Sequence, residues 1–88
     1  MKTLHIVRQR ADRLAEAAIR RESASTPSKA AVTVLLIQSA VLGDYSLPVS
    51  IYASEPDLLA RGVTRPYEAI DFDRMSQLIL EHDRTIVW

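Results

Sequence analysis

The chain has 88 residues, 48% of them hydrophobic, with no cysteine and a formal net charge of zero. That length makes one domain, residues 1–88, with enough apolar content for a packed core. The missing cysteine excludes disulfide staples, a thiolate metal site and a cysteine nucleophile.

The charge is unevenly spread. Residues 1–30 hold seven Lys/Arg against three Asp/Glu, and residues 31–88 hold four against eight. Either two solvated faces or electrostatic complementarity with a partner accounts for such a split. The basic residues are not interleaved with aromatics, so direct nucleic-acid binding is not expected. A domain this short buries a modest share of its surface, and a shared interface would add to its stability.

The first predicted element is a strand at Leu4-His5-Ile6-Val7. This opening lacks the charged, apolar and small-residue order of a signal peptide, and the expected location is cytoplasmic. Residues 11–22 carry helical periodicity, with Ala11, Leu14, Ala15, Ala18 and Ile19 on one stripe and Arg10, Arg13, Arg20 and Arg21 opposite. An alanine-rich stripe is shallow, so this helix is expected to lie close on a sheet. Ser23-Ala24-Ser25-Thr26-Pro27-Ser28 reads as a breaker loop.

Ala31 to Ile37 is almost continuously apolar and rich in β-branched residues, the pattern of a strand buried on both faces of a parallel sheet. It is far too short to span a membrane. Gln38 to Leu47 is a connection with room for one helical turn, closed by Gly43-Asp44 and Pro48, and Val49 to Ala53 is the third strand. Ser54 is an N-cap, Asp57 stands at the capping-box position, Pro56 fits the first turn, and Gly62 stops the helix. Glu68-Ala69-Ile70 is a short strand and Asp71 a second N-cap. Phe72, Met75, Ile79 and His82 share a helical stripe, and Thr85 to Trp88 is the last strand. Strands alternating with helices predict α/β layers with a mostly parallel sheet.

Self-contained chemistry is hard to find in these elements. His5 falls inside a strand and His82 at a helix end, and neither has a ligand-spaced partner, so no metal is expected. Ser39 follows the central strand, where α/β sheets place ligand contacts. Its neighbours Gln38 and Ala40 do not make the glycine-flanked elbow a serine nucleophile uses. Asp71 and Asp73 read as helix N-terminal carboxylates, and the two glycines stand apart, so there is no phosphate loop. No cofactor is expected.

Four segments carry a family likeness. They are Thr3 to Val7, Val34-Leu35-Leu36-Ile37-Gln38-Ser39-Ala40-Val41, the run Val49 to Ala53 with Asp57-Leu58-Leu59-Ala60-Arg61-Gly62, and Ile70-Asp71-Phe72 with the helix running on to Val87-Trp88. Together they resemble the DsrH/TusB branch of the DsrE/DsrF/DsrH superfamily of small sulfur-relay proteins. The third segment is the most specific, similar to V-Y-A-x-x-x-D-L-x-A-R-G. The resemblance implies a DsrEFH-like fold: three layers, α/β/α, around a mostly parallel five-stranded sheet. Gln38, Ser39, Tyr52, Asp57, Arg61 and Gly62 are its motif positions and candidate partner contacts.

The chain departs from the family pattern in places. Ser39-Ala40 replaces the family's Asp/Asn-Gly, the connection Leu42 to Pro48 is short, and residues 23–29 add a polar insertion. A tight turn with positive φ is therefore harder to make at Ser39-Ala40. The first helix carries Ala17 and Ala18 where some members carry a cysteine, which resembles the cysteine-free TusB side. The resemblance implies a non-catalytic subunit that joins TusC- and TusD-like partners. Such a complex passes persulfide sulfur towards 2-thiouridine at the tRNA wobble position, and this chain reaches tRNA only through it. The alternatives are a stand-alone homo-oligomer that binds or assembles, and a DsrEFH-like subunit in dissimilatory sulfur oxidation.

Overall fold

A computed structural model describes residues 1–88, the side chain of Lys29 excepted. Five strands, β1 (Thr3–Val7), β2 (Val32–Leu36), β3 (Ser50–Ser54), β4 (Glu68–Ile70) and β5 (Arg84–Val87), form one sheet in the order β4-β3-β2-β1-β5. Every neighbouring pair is parallel. The helices are α1 (Arg13–Ser25), α2 (Glu55–Arg61) and α3 (Phe72–Glu81), with a 3-10 turn at Gln38–Leu42 after β2. The expected three-layer α/β/α architecture is observed, with the sheet fully parallel.

Side chains alternate across the sheet, so each strand feeds two cores. On one face Val7, Val32, Val34, Leu36 and Ala53 pack with Ala15 and Ile19 of α1, Leu58 of α2, and Ala40 and Val41 of the 3-10 turn. On the other Leu4, Ile6, Leu35 and Ile70 pack with Met75 and Leu78 of α3. The direction of travel explains this division. The chain steps from β1 to β4 in one direction, then returns to the far edge at β5. Right-handed crossovers going opposite ways lie on opposite faces, so α3 has its face to itself.

The local stop and start rules hold. The Asp12 carboxylate accepts from the Ala15 N–H at 2.9 Å, and Asp71 accepts from the Arg74 N–H at 2.9 Å. Ser54 Oγ accepts from the Asp57 N–H at 3.4 Å. Gly62 takes the left-handed conformation, φ 61°, and its N–H and that of Val63 close the last carbonyls of α2.

Three expectations need correction. α1 runs on through Ser25, so Ser23 to Ser25 are its last turn and the breaker shrinks to Thr26–Ser28. Leu14 is 78% exposed, because the buried stripe of α1 is Ala15 and Ile19, one residue out of phase with it. Phe72 is 69% exposed and Ile79 is open too, while Leu78 takes the buried place beside Met75. In keeping with Ser39-Ala40 being a poor place for a positive φ, neither residue has one, and Gln38 takes it instead, at 53°.

Candidate functional site

Two recesses contain the polar and aromatic side chains most able to meet another molecule. The first lies at the carboxyl ends of the strands, where open α/β sheets bind ligands. It is a cleft of about 370 Å³ between α3 and the ends of β2 and β3, lined by Ile6, Leu35, Ile37, Gln38, Ser54, Pro56, Asp57, Phe72, Met75 and Ile79.

Backbone pairing at the end of β2 shapes the mouth of this cleft. The Ile37 N–H still donates to the Val7 carbonyl at 3.0 Å, and the Ala40 N–H donates to the carbonyls of Arg8, 3.2 Å, and Ile37, 3.0 Å. The chain must therefore reverse between residues 37 and 40, and Gln38 makes the reversal in a left-handed conformation. That conformation costs a non-glycine residue about 1–2 kcal/mol. Strain of this kind is retained where the surroundings over-determine it.

The six motif residues separate in space. Gln38 and Asp57 line the cleft together. Tyr52 is half-buried against the same sheet face. Ser39 is exposed outside the cleft, and Gly62 is the helix stop. Arg61 turns back on its own helix, its Nη1 donating to the Asp57 carboxylate at 3.3 Å and carbonyl at 3.5 Å. Asp57 is thus an ion-pair partner and not a free carboxylate. Ser54 is buried and serves as a cap, with no base against its hydroxyl. The lining offers shape and apolar contact, and among the described residues it contains no acid–base pair placed to move a proton.

The second recess, of about 360 Å³, opens between α1 and β5 over His5, Ala18, Arg21, Glu22, Ser25, Arg84, Ile86 and Trp88. His5 is 1% exposed. Trp88 Nε1 donates to His5 Nδ1 at 3.1 Å, and indole nitrogen can only donate. His5 Nε2 must therefore carry the proton, which it donates to Glu22 Oε1 at 2.7 Å. Arg84 holds the other Glu22 oxygen at 3.3 Å and donates from Nε to Thr3 Oγ1 at 3.0 Å. Burial pushes the Glu22 carboxyl up, but the hydrogen bonds from Thr3, His5 and Arg84 outweigh it and hold the group below its ordinary value. Both imidazole nitrogens are occupied, so the Glu22–His5 pair is a buried tie and not a general base.

Sequence reading places His5 correctly as a packed strand residue but misses its partners. The clue was present in Glu22, which continues the Ala15–Ile19 stripe at the i+7 position and so points a carboxylate at the sheet. His82 is likewise a tie. Its Nδ1 donates to the Leu78 carbonyl at 2.6 Å, and its Nε2 meets Thr33 Oγ1 at 2.8 Å, pinning the end of α3 to β2.

Tyr45 and Tyr67 fasten the strand ends. Tyr45 Oη donates to the Gln9 carbonyl at 2.7 Å and accepts from the Asp12 N–H at 2.8 Å, while Tyr67 Oη accepts from the Tyr45 N–H at 2.7 Å. Burial raises the Tyr45 phenol above its ordinary value. Among the described residues no group of three or more His, Asp or Glu side chains is placed to hold a metal ion, and no helix is long and apolar enough to cross a membrane.

No protein-family model matches the chain, and no characterised protein matches it by sequence. Its fold is nonetheless shared. The crystal structure of the YchN protein from E. coli superposes with a TM-score of 0.71 over 100% of both chains, at 16% identity. That likeness establishes the architecture: a compact α/β domain with a five-stranded parallel sheet and three helices.

Proposed function

We propose that this chain is a non-catalytic, TusB-like subunit of a sulfur-relay complex in the DsrE/DsrF/DsrH superfamily. One conjunction carries the reading: the YchN-type fold bears the Tyr52–Gly62 motif as its β3–cap–α2 unit, in a chain without cysteine. Persulfide sulfur travels on a thiolate. A member lacking one contributes surface, and a partner carries the sulfur.

The geometry supports a role in assembly. The strand-end cleft is apolar, and Phe72 and Ile79 stand open at its edge. Exposed apolar side chains gathered at one place mark interaction surfaces. The partners are TusC- and TusD-like subunits in the cytoplasm, with the sulfur on a cysteine of the TusD-like chain and tRNA wobble uridine as its destination. tRNA meets the complex and not this chain alone.

The test is co-expression with the TusC- and TusD-like proteins encoded in the same genome, followed by size-exclusion chromatography. The expected result is a single complex containing all three, together with loss of tRNA 2-thiouridine in a deletion strain. A chain that elutes apart from both partners, or a deletion strain with unchanged 2-thiouridine, overturns the reading. Unchanged 2-thiouridine with impaired sulfur oxidation assigns the chain to the DsrEFH-like oxidative relay instead.

A further inference from the structure

On the α1 face the outermost strand has no roof. Ala15 and Ile19 seat α1 over β1 and β2, against Val7, Val32 and Val34. β5 lies beyond β1 at the sheet edge, with Arg84 in register with Thr3 and Ile86 in register with His5. Side chains alternate along a strand, so Arg84, Ile86 and then Trp88 share the face of Thr3 and His5. They stand beside α1 and not beneath it. The hollow between them is the second recess, of about 360 Å³, whose other wall is the Ala18, Arg21, Glu22 and Ser25 stripe of α1.

The two ends of this recess differ. α1 runs against the direction of β5, so Ala18 lies towards Ile86 and Trp88, and Arg21, about one turn further on, lies towards Arg84. One end is therefore an apolar floor and the other a pair of guanidinium groups. Most of the other polar groups are already engaged. The Glu22 carboxylate accepts from His5 at 2.7 Å and from Arg84 Nη2 at 3.3 Å, and Ser25 Oγ donates to the Glu22 carbonyl at 3.1 Å. His5 is neutral, because its Nδ1 accepts from the Trp88 indole. Two donors are left over. Arg84 is fixed through Nε and Nη2, but its Nη1 forms no hydrogen bond among the described residues. Arg21 is exposed and forms no hydrogen bond or ion pair among them. Two arginines against one carboxylate leave a single positive charge beside the apolar floor.

We infer that this recess is a binding site for a small organic monocarboxylate. Its carboxylate takes the free N–H groups of Arg84 and Arg21, whose planar forks match carboxylate oxygens. Its apolar body lies on Ile86, Trp88 and Ala18. The single uncompensated charge suits a monoanion, and the floor favours an acid with a ring or chain over acetate. A volume of about 360 Å³ is within the range of small-molecule pockets, about 300–1,000 Å³. A lone solvated arginine calls for no ligand. Here a second guanidinium, already held at two of its nitrogens, lines the same apolar hollow. The inference is independent of the sulfur-relay reading, which uses the strand-end cleft on the other side of the sheet.

NMR of the purified protein tests it. Trp88 is the chain's one tryptophan, so its indole N–H gives a single resolved reporter in the recess. Benzoate is the probe, with benzamide and acetate as controls. Benzoate at millimolar concentration is expected to shift the Trp88 indole and Ile86 amide signals saturably. Benzamide keeps the ring without the charge, and acetate keeps the charge without the ring. Each is expected to bind at least about tenfold more weakly. Arg21→Gln removes a side chain with no partner in the domain, so the spectrum is expected to remain that of the folded wild type. Its affinity for benzoate should fall about tenfold, the loss of one charge-assisted hydrogen bond, and Arg21→Lys should recover part of it. Absence of a shift at Trp88, benzamide or acetate binding as tightly as benzoate, or unchanged affinity in Arg21→Gln overturns the proposal. Shifts at Phe72 and Ile79 in place of Trp88 put the ligand in the strand-end cleft and overturn it equally.

Discussion

The indole N–H of Trp88 donates to Nδ1 of the buried His5 across 3.1 Å, and the two rings stack with centroids 6.1 Å apart. One contact thereby fixes the imidazole tautomer, directs the remaining N–H at Glu22, and ties β5 and the residue after it to β1 and α1. The packing on this face is polar where it meets the sheet edge. Its energetics therefore depend on protonation in a way the apolar core does not.

Glu22 gives that dependence a sign. Its carboxyl is held below the ordinary value of 4.5 in the folded chain. A depressed folded-state pKa contributes stability that is present in full above the unfolded value and lost as pH falls through the folded value. Wild type is therefore expected to lose stability as pH drops below about 4.5. Glu22→Gln should lack that component and be weaker at neutral pH by about 1–3 kcal/mol, since His5 and Arg84 lose a charged acceptor. Urea titrations across the acid range check this, and parallel stability curves for the two proteins would contradict it.

Trp88→Phe separates the hydrogen bond from the stack. Phenylalanine keeps an aromatic ring over His5 but leaves Nδ1 a buried acceptor with no donor. The expected cost is about 1–2 kcal/mol, with the near-ultraviolet signal of the remaining aromatics unchanged. Trp88→Ala should cost more, by the apolar area it strips from His5 and Ile86. A Trp88→Phe variant as stable as wild type would mean that the hydrogen bond carries nothing, and equal losses for the two variants would mean that the stack carries nothing.

Elements governed by neighbours in sequence were legible from it. Asp71 and Ser54 cap because a short oxygen side chain reaches the N–H three residues on, and Gly62 stops α2 because αL is open to it; each fact is contained in a few consecutive residues. The phase of each helix against the sheet was not. The Phe72–Met75–Ile79 spacing is truly helical, but it marks the edge of an open cleft, and only the incomplete roofing of that face by one helix shows it. Leu14 misleads in the same way, its place in the stripe having been inferred from hydrophobicity alone. The candidate site was legible in part. Gln38 and Asp57 do line one cleft, but Arg61 closes on Asp57, and the His5–Glu22–Trp88 tie joins residues up to 83 positions apart.

The two glycines should differ sharply on substitution by alanine. A Cβ at Gly43 would lie 2.1 Å from the Arg10 carbonyl oxygen and 2.8 Å from the Tyr45 ring, so backbone must move. Overpacking of that kind costs about 1–3 kcal/mol or more. A Cβ at Gly62 meets nothing within 4 Å, and only the positive φ opposes it, at about 1 kcal/mol. Chemical denaturation of Gly43→Ala and Gly62→Ala should rank them in that order. The reverse order would place Gly43 away from Arg10.

Gln38→Gly is expected to stabilise the protein. Its φ of 53° is the one positive value on a non-glycine residue, its side chain is exposed, and it makes no hydrogen bond among the described residues. Glycine removes the left-handed penalty of about 1–2 kcal/mol and gives back part of that through the greater freedom of the unfolded chain. A net gain of about 0.5–1 kcal/mol follows, visible as a higher denaturation midpoint with unchanged slope. Gln38→Ala keeps the penalty and should leave the midpoint where it is. If alanine and glycine behave alike, the reversal at the end of β2 is unstrained, and the departure of Ser39-Ala40 from the Asp/Asn-Gly pattern has been accommodated without cost.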